Sequence, residues 1–206
     1  MKGIFITLEG ADGSGKSSFA KGIAKELAEL GILYTMTREP GGTEIGEQIR
    51  DILLDNDHEE MGFRAEALLY AASRAQHVKE VIRPALEAGH VVLCERYILS
   101  SIAYQGYGRR LGEEKILQIN DFATDGLMPD LTLFFSVDPR HTLARKAGAP
   151  DRLEEEGAGF HGRVYEGYMQ AVQRYPGKVV IIDATKPEEE VFRAGREALL
   201  RHLRGE

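Results

Sequence analysis

The 206-residue chain has one cysteine, no excess of basic charge and no apolar run long enough to cross a membrane. Each absence excludes something. Cys94 has no second cysteine with which to close a disulfide, so the fold must rest on its core, as suits a reducing compartment. A net charge of −7 argues against general affinity for DNA or RNA, although one cleft can still be basic. The opening MKGIFITLEG holds a short apolar run broken by Thr7 and Glu9, with no A-x-A-type cleavage site. It reads as a strand rather than a signal peptide or a membrane span, and the expected location is cytoplasmic. There is also no internal repeat, low-complexity linker or break in composition, so the expectation is one domain over residues 1–206.

Five apolar or β-branched runs stand out: Ile4 to Leu8, Ile32 to Thr37, Val91 to Cys94, Leu131 to Val137 and Val179 to Ile182. They are nearly continuous rather than alternating, as in strands covered on both faces. Helical periodicity fills the intervals, over Ser17 to Leu30, Thr43 to Leu54, Ala65 to Ala88, Glu113 to Ala123, Phe160 to Arg174 and Pro187 to Leu203. Gly31 is placed to end the first helix and Thr43 to cap the start of the second. Strand–helix alternation predicts an α/β fold with a five-stranded parallel sheet flanked by helices and right-handed crossovers. In such sheets ligands sit at the carboxyl ends of the strands, so the loops there carry the function. Residues 148–159 combine three glycines, Pro150 and three consecutive glutamates, and read as a mobile segment.

Gly10-Ala11-Asp12-Gly13-Ser14-Gly15-Lys16-Ser17 matches G-x-x-x-x-G-K-[ST] and lies between a predicted strand and a predicted helix, with Ser18 following. Backbone N–H groups of such a loop, with the positive end of the helix, cradle a polyphosphate. Lys16 would neutralise the β- and γ-phosphates, and the Ser17 hydroxyl would ligate Mg²⁺. The motif predicts an ATP site. A guanine-reading N-K-x-D is missing, since the corresponding loop reads Asp183-Ala184-Thr185-Lys186-Pro187-Glu188. A nucleic-acid motor would call for a larger and more basic chain.

Other strand ends carry further polar groups: Arg38-Glu39-Pro40-Gly41-Gly42-Thr43 after the second strand, Glu95-Arg96-Tyr97 after the third, then Ser100, Ser101, Tyr104 and Gln105. Tyr70 and Arg74, spaced i, i+4, share one helix face. Together, the glycine-rich loop, T-R-E-P-G-G-T (Thr37 to Thr43), L-L-Y-A-A-S-R and E-R-Y-x-x-S-S-x-A-Y-Q-G resemble thymidylate kinases in order and spacing, over essentially the whole chain.

The resemblance implies a P-loop nucleoside monophosphate kinase that uses MgATP to convert dTMP to dTDP. Tyr70 would stack on the thymine ring, Arg74 would reach O4, and Ser101 with Gln105 would read the base edge. Tyr104 would crowd the 2′ position, Glu39 would line the sugar side, and Arg38, Arg50 and Arg96 would hold the acceptor phosphate. Glu95 stands where the family usually has Asp, and would contact Mg²⁺ with Ser17. A short lid, about residues 145–159, would bring Arg145, Lys146 and Arg152 to the donor, because the phosphate loop has no arginine of its own. Arg152 is expected to touch the transferring phosphoryl. The family's packed homodimer would carry over, with no nucleic-acid or membrane partner. His77, His141 and His161 show no metal spacing and are expected to be surface or structural. Two alternatives stay open from the residues alone: a deoxynucleoside kinase phosphorylating a 5′-hydroxyl, and a slow nucleotide-dependent switch.

Overall fold

A computed structural model describes residues 3–138 and 151–205. Five parallel strands form one sheet in the order β2-β3-β1-β4-β5, where β1 is Ile4–Gly10, β2 Tyr34–Arg38, β3 Val91–Glu95, β4 Leu131–Ser136 and β5 Val179–Asp183. The three inner strands are buried along nearly their whole length, as their unbroken apolar runs require. The edge strands β2 and β5 are only partly covered, which accounts for exposed Met36 and Ile181.

Helices α1 (Lys16–Glu29) and α8 (Glu188–Arg204) pack on one face. There Phe19, Ile23 and Leu27 meet Leu8, Leu133 and Leu199 in a dry core. The opposite face is covered by α3 (Phe63–His77), α4 (Arg83–Glu87), α5 (Ile98–Ser101) and α7 (Ala158–Gln173), with α2 (Glu44–Leu54) and α6 (Glu113–Thr124) packed outside α3. Its core centres on Phe5, Ile82, Tyr97, Phe134 and Tyr168, with Phe134 stacked on Tyr168 at 5.1 Å between ring centroids. Thr43 caps α2 as its position suggests, its hydroxyl accepting from Gly46 N at 2.9 Å. Gly31 ends α1 in the left-handed conformation, with φ 71°.

Two expectations need correction. The helix read over Ala65 to Ala88 is interrupted by a π-helical turn at Val78–Ile82, and Pro84 then opens α4. Widened turns keep the apolar stripe on the core side, so periodicity does not reveal them, and they concentrate at functional sites. A second π-helical turn, Ile102–Gly108, continues α5 and carries Tyr104 and Gln105. The segment read as mobile also divides. Residues 148–150 lie outside the described residues. Of the rest, Asp151 to Leu153 is packed, with Asp151 Oδ1 accepting from Leu153 N and Glu154 N at 3.0 Å and Arg152 and Leu153 buried, whereas Glu155 and Gly157 to Gly159 are exposed.

Strand register aligns the loops that matter. Leu8 of β1 and Arg38 of β2 both lie opposite Glu95 of β3, so β2 and β3 finish level with each other and β1 runs two residues beyond them to Gly10. No helix among the described residues is long and apolar enough to cross a membrane.

Candidate active site

The glycine-rich loop leaves β1 sharply. Gly10 has φ 140°, and a Cβ there would lie 2.5 Å from the Phe135 carbonyl oxygen, so only glycine lets the chain turn beside β4. The Lys16 ammonium folds back inside the loop and donates to Gly10 O at 3.0 Å, Ala11 O at 2.7 Å and Ser14 Oγ at 3.4 Å. Burial, with the Arg96 charge adding to it, pushes its pKa down to about 8. Beside the loop, Ser17 Oγ donates to Glu95 Oε2 at 2.7 Å. A hydroxyl at the start of α1 and a carboxylate at the end of β3 thus stand side by side, two hard oxygen donors of the kind a magnesium ion takes. The added methylene of Glu95 therefore does not keep it from the loop.

Arg96 sits at the centre. Its φ of 67° is left-handed, a conformation that costs a non-glycine residue on the order of 1–3 kcal/mol unless the surroundings enforce it. Glu9 enforces it. Buried at 0% exposure at the end of β1, Glu9 accepts through Oε1 from Tyr97 N at 2.8 Å and Ser100 N at 3.3 Å, while Arg96 N donates to Leu8 O at 2.9 Å. Burial raises the pKa of Glu9 despite these donors. The turn swings the Arg96 guanidinium across to Asp12 of the glycine-rich loop, where it pairs at 2.8 Å. Its other donors reach Ser100 Oγ at 3.3 Å, Tyr168 OH at 3.1 Å and Tyr104 OH at 3.4 Å, and it lies 5.1 Å from the Tyr104 ring centroid. Burial pushes the Tyr104 phenol up to about 12, keeping it neutral. Glu9 and Tyr168 were missed from sequence, and Ser100 was named there among the polar groups without a role. The one available signal was an acidic residue inside an apolar strand, which is tolerated only when it has donors to satisfy.

Arg74, like Arg96, makes four side-chain hydrogen bonds. At 1% exposure it donates from Nε to Glu39 Oε2 at 2.6 Å, from Nη1 to Ser101 Oγ at 2.9 Å and to Asn120 Oδ1, and from Nη2 to Tyr97 O at 3.0 Å. These bonds use four of the five guanidinium N–H groups and leave one on Nη2. Glu39 Oε1 is engaged by His77 Nδ1 at 2.9 Å, and His77 Nε2 lies 2.6 Å from Thr37 Oγ1. Because a carboxylate only accepts, it is the His77 Nδ1–H that donates to Glu39. His77 and His161 are both buried and not at the surface, and His161 borders the same pocket as Tyr70 and Arg74, whereas His141 lies outside the described residues. The Glu39, His77 and Cys94 donor atoms lie within 4.8 Å of one another, a grouping that linear spacing did not suggest, but Glu39 and His77 are already bonded to each other.

Two clefts meet at these groups. One pocket is bordered by Glu39, Tyr70, Arg74, Ser101, Tyr104 and Gln105, and the half-buried Tyr70 has its phenol pKa raised by desolvation. The second cleft is bordered by the glycine-rich loop from Asp12 to Ser18, Glu95, Arg38 and Arg50. Asp12, Glu39, Arg50 and Arg96 belong to both. A third hollow, along Gly13 to Ser18 and Phe192, reaches the loop Ala184 to Glu189. Arg38 is turned onto Glu47 at 2.8 Å and Pro40 O at 2.6 Å, and Arg50 also donates to Pro40 O at 3.1 Å. Arg152 departs from expectation. It is 8% exposed and bound to Glu66 Oε2 at 2.7 Å and Leu53 O at 3.1 Å, and it borders none of these three clefts. A guanidinium held by a buried carboxylate anchors its segment, so the structure does not place it on a transferring phosphoryl. Arg145 and Lys146 lie outside the described residues.

The family model described as thymidylate kinase matches residues 8–194. The chain belongs to the thymidylate kinase family. The thymidylate kinase of Halalkalibacterium halodurans is 53% identical over 194 residues, covering 92% of each chain. That of Lactobacillus acidophilus is 49% identical over 198 residues, covering 94% of this chain and 92% of its own. That of a Geobacillus species is 46% identical over 209 residues and covers all of both. The thymidylate kinase motifs and the meeting clefts therefore belong to one molecule along its whole length.

Proposed function

We infer that this chain transfers the γ-phosphoryl group of ATP to dTMP, giving dTDP and ADP. The observation that carries the reading is Arg96, which borders both the aromatic pocket and the phosphate-loop cleft. A cation in that position can hold an acceptor phosphate against a donor phosphate. A phosphate monoester is already largely ionised near neutral pH, with a second pKa near ~6, so no strong base is needed. The barrier lies in bringing two polyanions to in-line distance, and positioned cations lower it.

The backbone N–H groups from Asp12 to Ser18, with Lys16, cradle the donor phosphates, and Arg38, Arg50 and Arg96 hold the acceptor phosphate. Tyr70 stacks on the base, and the remaining N–H of Arg74 reaches its O4. Ser101 and Gln105 read the base edge, and Tyr104 closes the 2′ side. Ser17 and Glu95 would hold Mg²⁺, which when bound neutralises charge on the donor phosphates. Arg145, with Lys146, is proposed to complete the donor side from the lid, about residues 145–159. The chain works as a single domain, cytoplasmic and homodimeric.

Glu39 speaks against a 5′-hydroxyl acceptor. Such a reaction needs a carboxylate base, and both Glu39 oxygens are committed to Arg74 and His77 in a buried site. A coupled ADP-release assay decides: dTMP should support turnover and thymidine should not. Turnover with thymidine alone would reverse the assignment.

A further inference from the structure

One turn before Tyr70 on α3, Glu66 is fully buried and gathers donors on both oxygens. Gln105 Nε2 donates to Oε1 at 3.0 Å. Arg109 donates from Nε to both oxygens at 3.2 Å and from Nη2 to Oε2 at 3.0 Å, and Arg152 Nη2 reaches Oε2 at 2.7 Å. The Arg109 guanidinium is held between the Phe63 and Phe160 rings, 4.6 and 4.7 Å from their centroids, and pairs with Glu156 as well. Two carboxylates and two guanidiniums thus balance in number, all of them buried except Glu156. Both arginines border a separate cleft beside Asn56 and Met61, whereas Gln105 borders the aromatic pocket.

This arrangement fixes the sense of a carboxamide. An ionised carboxylate can only accept, so Gln105 must present its NH₂ to Glu66, and its oxygen is the end turned away. We propose that Glu66 is a specificity-positioning residue, which locks Gln105 so that the pocket offers the base edge a hydrogen-bond acceptor. An acceptor at that edge selects a ring that carries N–H at position 3, as thymine does, over cytosine, whose N3 itself accepts. Arg109 and Arg152 hold Glu66 in place through their hydrogen bonds, and Arg152 links this lock to the segment that follows residue 150.

The proposal rests on dTMP being the acceptor, and it is tested by kcat/KM for dTMP against dCMP in the full-length enzyme. Glu66→Gln replaces an obligate acceptor with a group that can donate or accept, so the Gln105 amide is free to reverse. The dTMP:dCMP ratio should fall by about tenfold, the factor that one hydrogen bond of about 1.4 kcal/mol supplies. KM for dTMP should rise while KM for ATP holds. Glu66→Asp, still an acceptor, should keep most of the discrimination, and Gln105→Leu should lose as much as Glu66→Gln. Should the single variant not fold, Glu66→Gln with Arg152→Met, which removes one cation together with the negative charge, repeats the measurement. A merely structural Glu66 would depress both substrates alike, and an unmoved ratio in the Glu66→Gln proteins overturns the proposal. Wild-type enzyme inactive on dTMP would instead fault the function itself.

Discussion

Replacing Arg74 with methionine tests whether the buried ion pair behind the base pocket acts as the geometry says. Methionine keeps much of the aliphatic volume but removes four hydrogen bonds, and it leaves the Glu39 carboxylate, 2% exposed, with His77 as its remaining side-chain partner. Breaking a buried pair by removing one partner costs about 3–5 kcal/mol, because an uncompensated charge stays behind. In a chain of this size each kcal/mol shifts Tm by about 2–4 °C, so the drop should be on the order of 6–20 °C. That is a large share of a total stability of about 5–15 kcal/mol. Urea or thermal unfolding of the variant measures it. The decisive comparison is Glu39→Gln/Arg74→Met, which deletes the stranded charge and should recover at least about half of the loss, so that the two sites couple by more than ~1 kcal/mol. Additive losses in the double variant, or a single-variant loss below ~1 kcal/mol, would refute the view that Arg74 and Glu39 hold each other in place.

Two further outcomes follow from the phosphate side. Lys16 titrates at about 8 in the folded chain against 10.5 for a free lysine. Above about pH 8 the unfolded chain therefore holds more protons than the folded one, and the stability of the nucleotide-free protein should rise with pH from about 8 to 9.5 relative to Lys16→Met. Saturating ATP, whose phosphates favour the charged amine, should abolish that rise; a rise unchanged by ATP would mean that Lys16 does not meet the phosphates. Ser17→Ala and Glu95→Gln should each raise the Mg²⁺ concentration for half-maximal rate by about tenfold or more, as loss of a ligand or its partner does. Unchanged magnesium titrations in both variants would remove these residues from the metal site.

The fold was legible because its strands are buried on both faces and must be apolar without interruption, and because the glycine-rich loop needs a strand before it and a helix after it. The positions of Tyr70, Arg74, Ser101, Tyr104 and Gln105 around one pocket followed from motif order. What was not legible depends on pairing across the chain. Arg152 meets Glu66 from 86 positions away, and a basic residue after a glycine-rich stretch reads equally well as a phosphate ligand or an anchor. Glu9 reaches Ser100 from 91 positions away, and the left-handed Arg96 that it enforces leaves no trace in composition. The π-helical turns at Val78 and Ile102 leave the apolar pattern intact and are invisible for that reason.

The site's cations share a feature that bears on how it would operate. Lys16 rests on loop carbonyls, Arg38 on Glu47, Arg96 on Asp12 and Arg74 on Glu39. These pairs are not equivalent. Arg38–Glu47 is about 44% exposed on both sides and worth little, whereas Arg74–Glu39 is buried and costly to open. An entering phosphate can therefore take Arg38 from its carboxylate at small cost, and Arg96, at 17% exposure, at intermediate cost. Arg74 must keep its carboxylate and act through its remaining N–H. Ease of partner exchange thus separates the arginines by role. In the proposed reaction the Arg38 and Arg96 pairs would release donors to the phosphates, and the buried Arg74–Glu39 pair would stay intact as the wall against which the base is read.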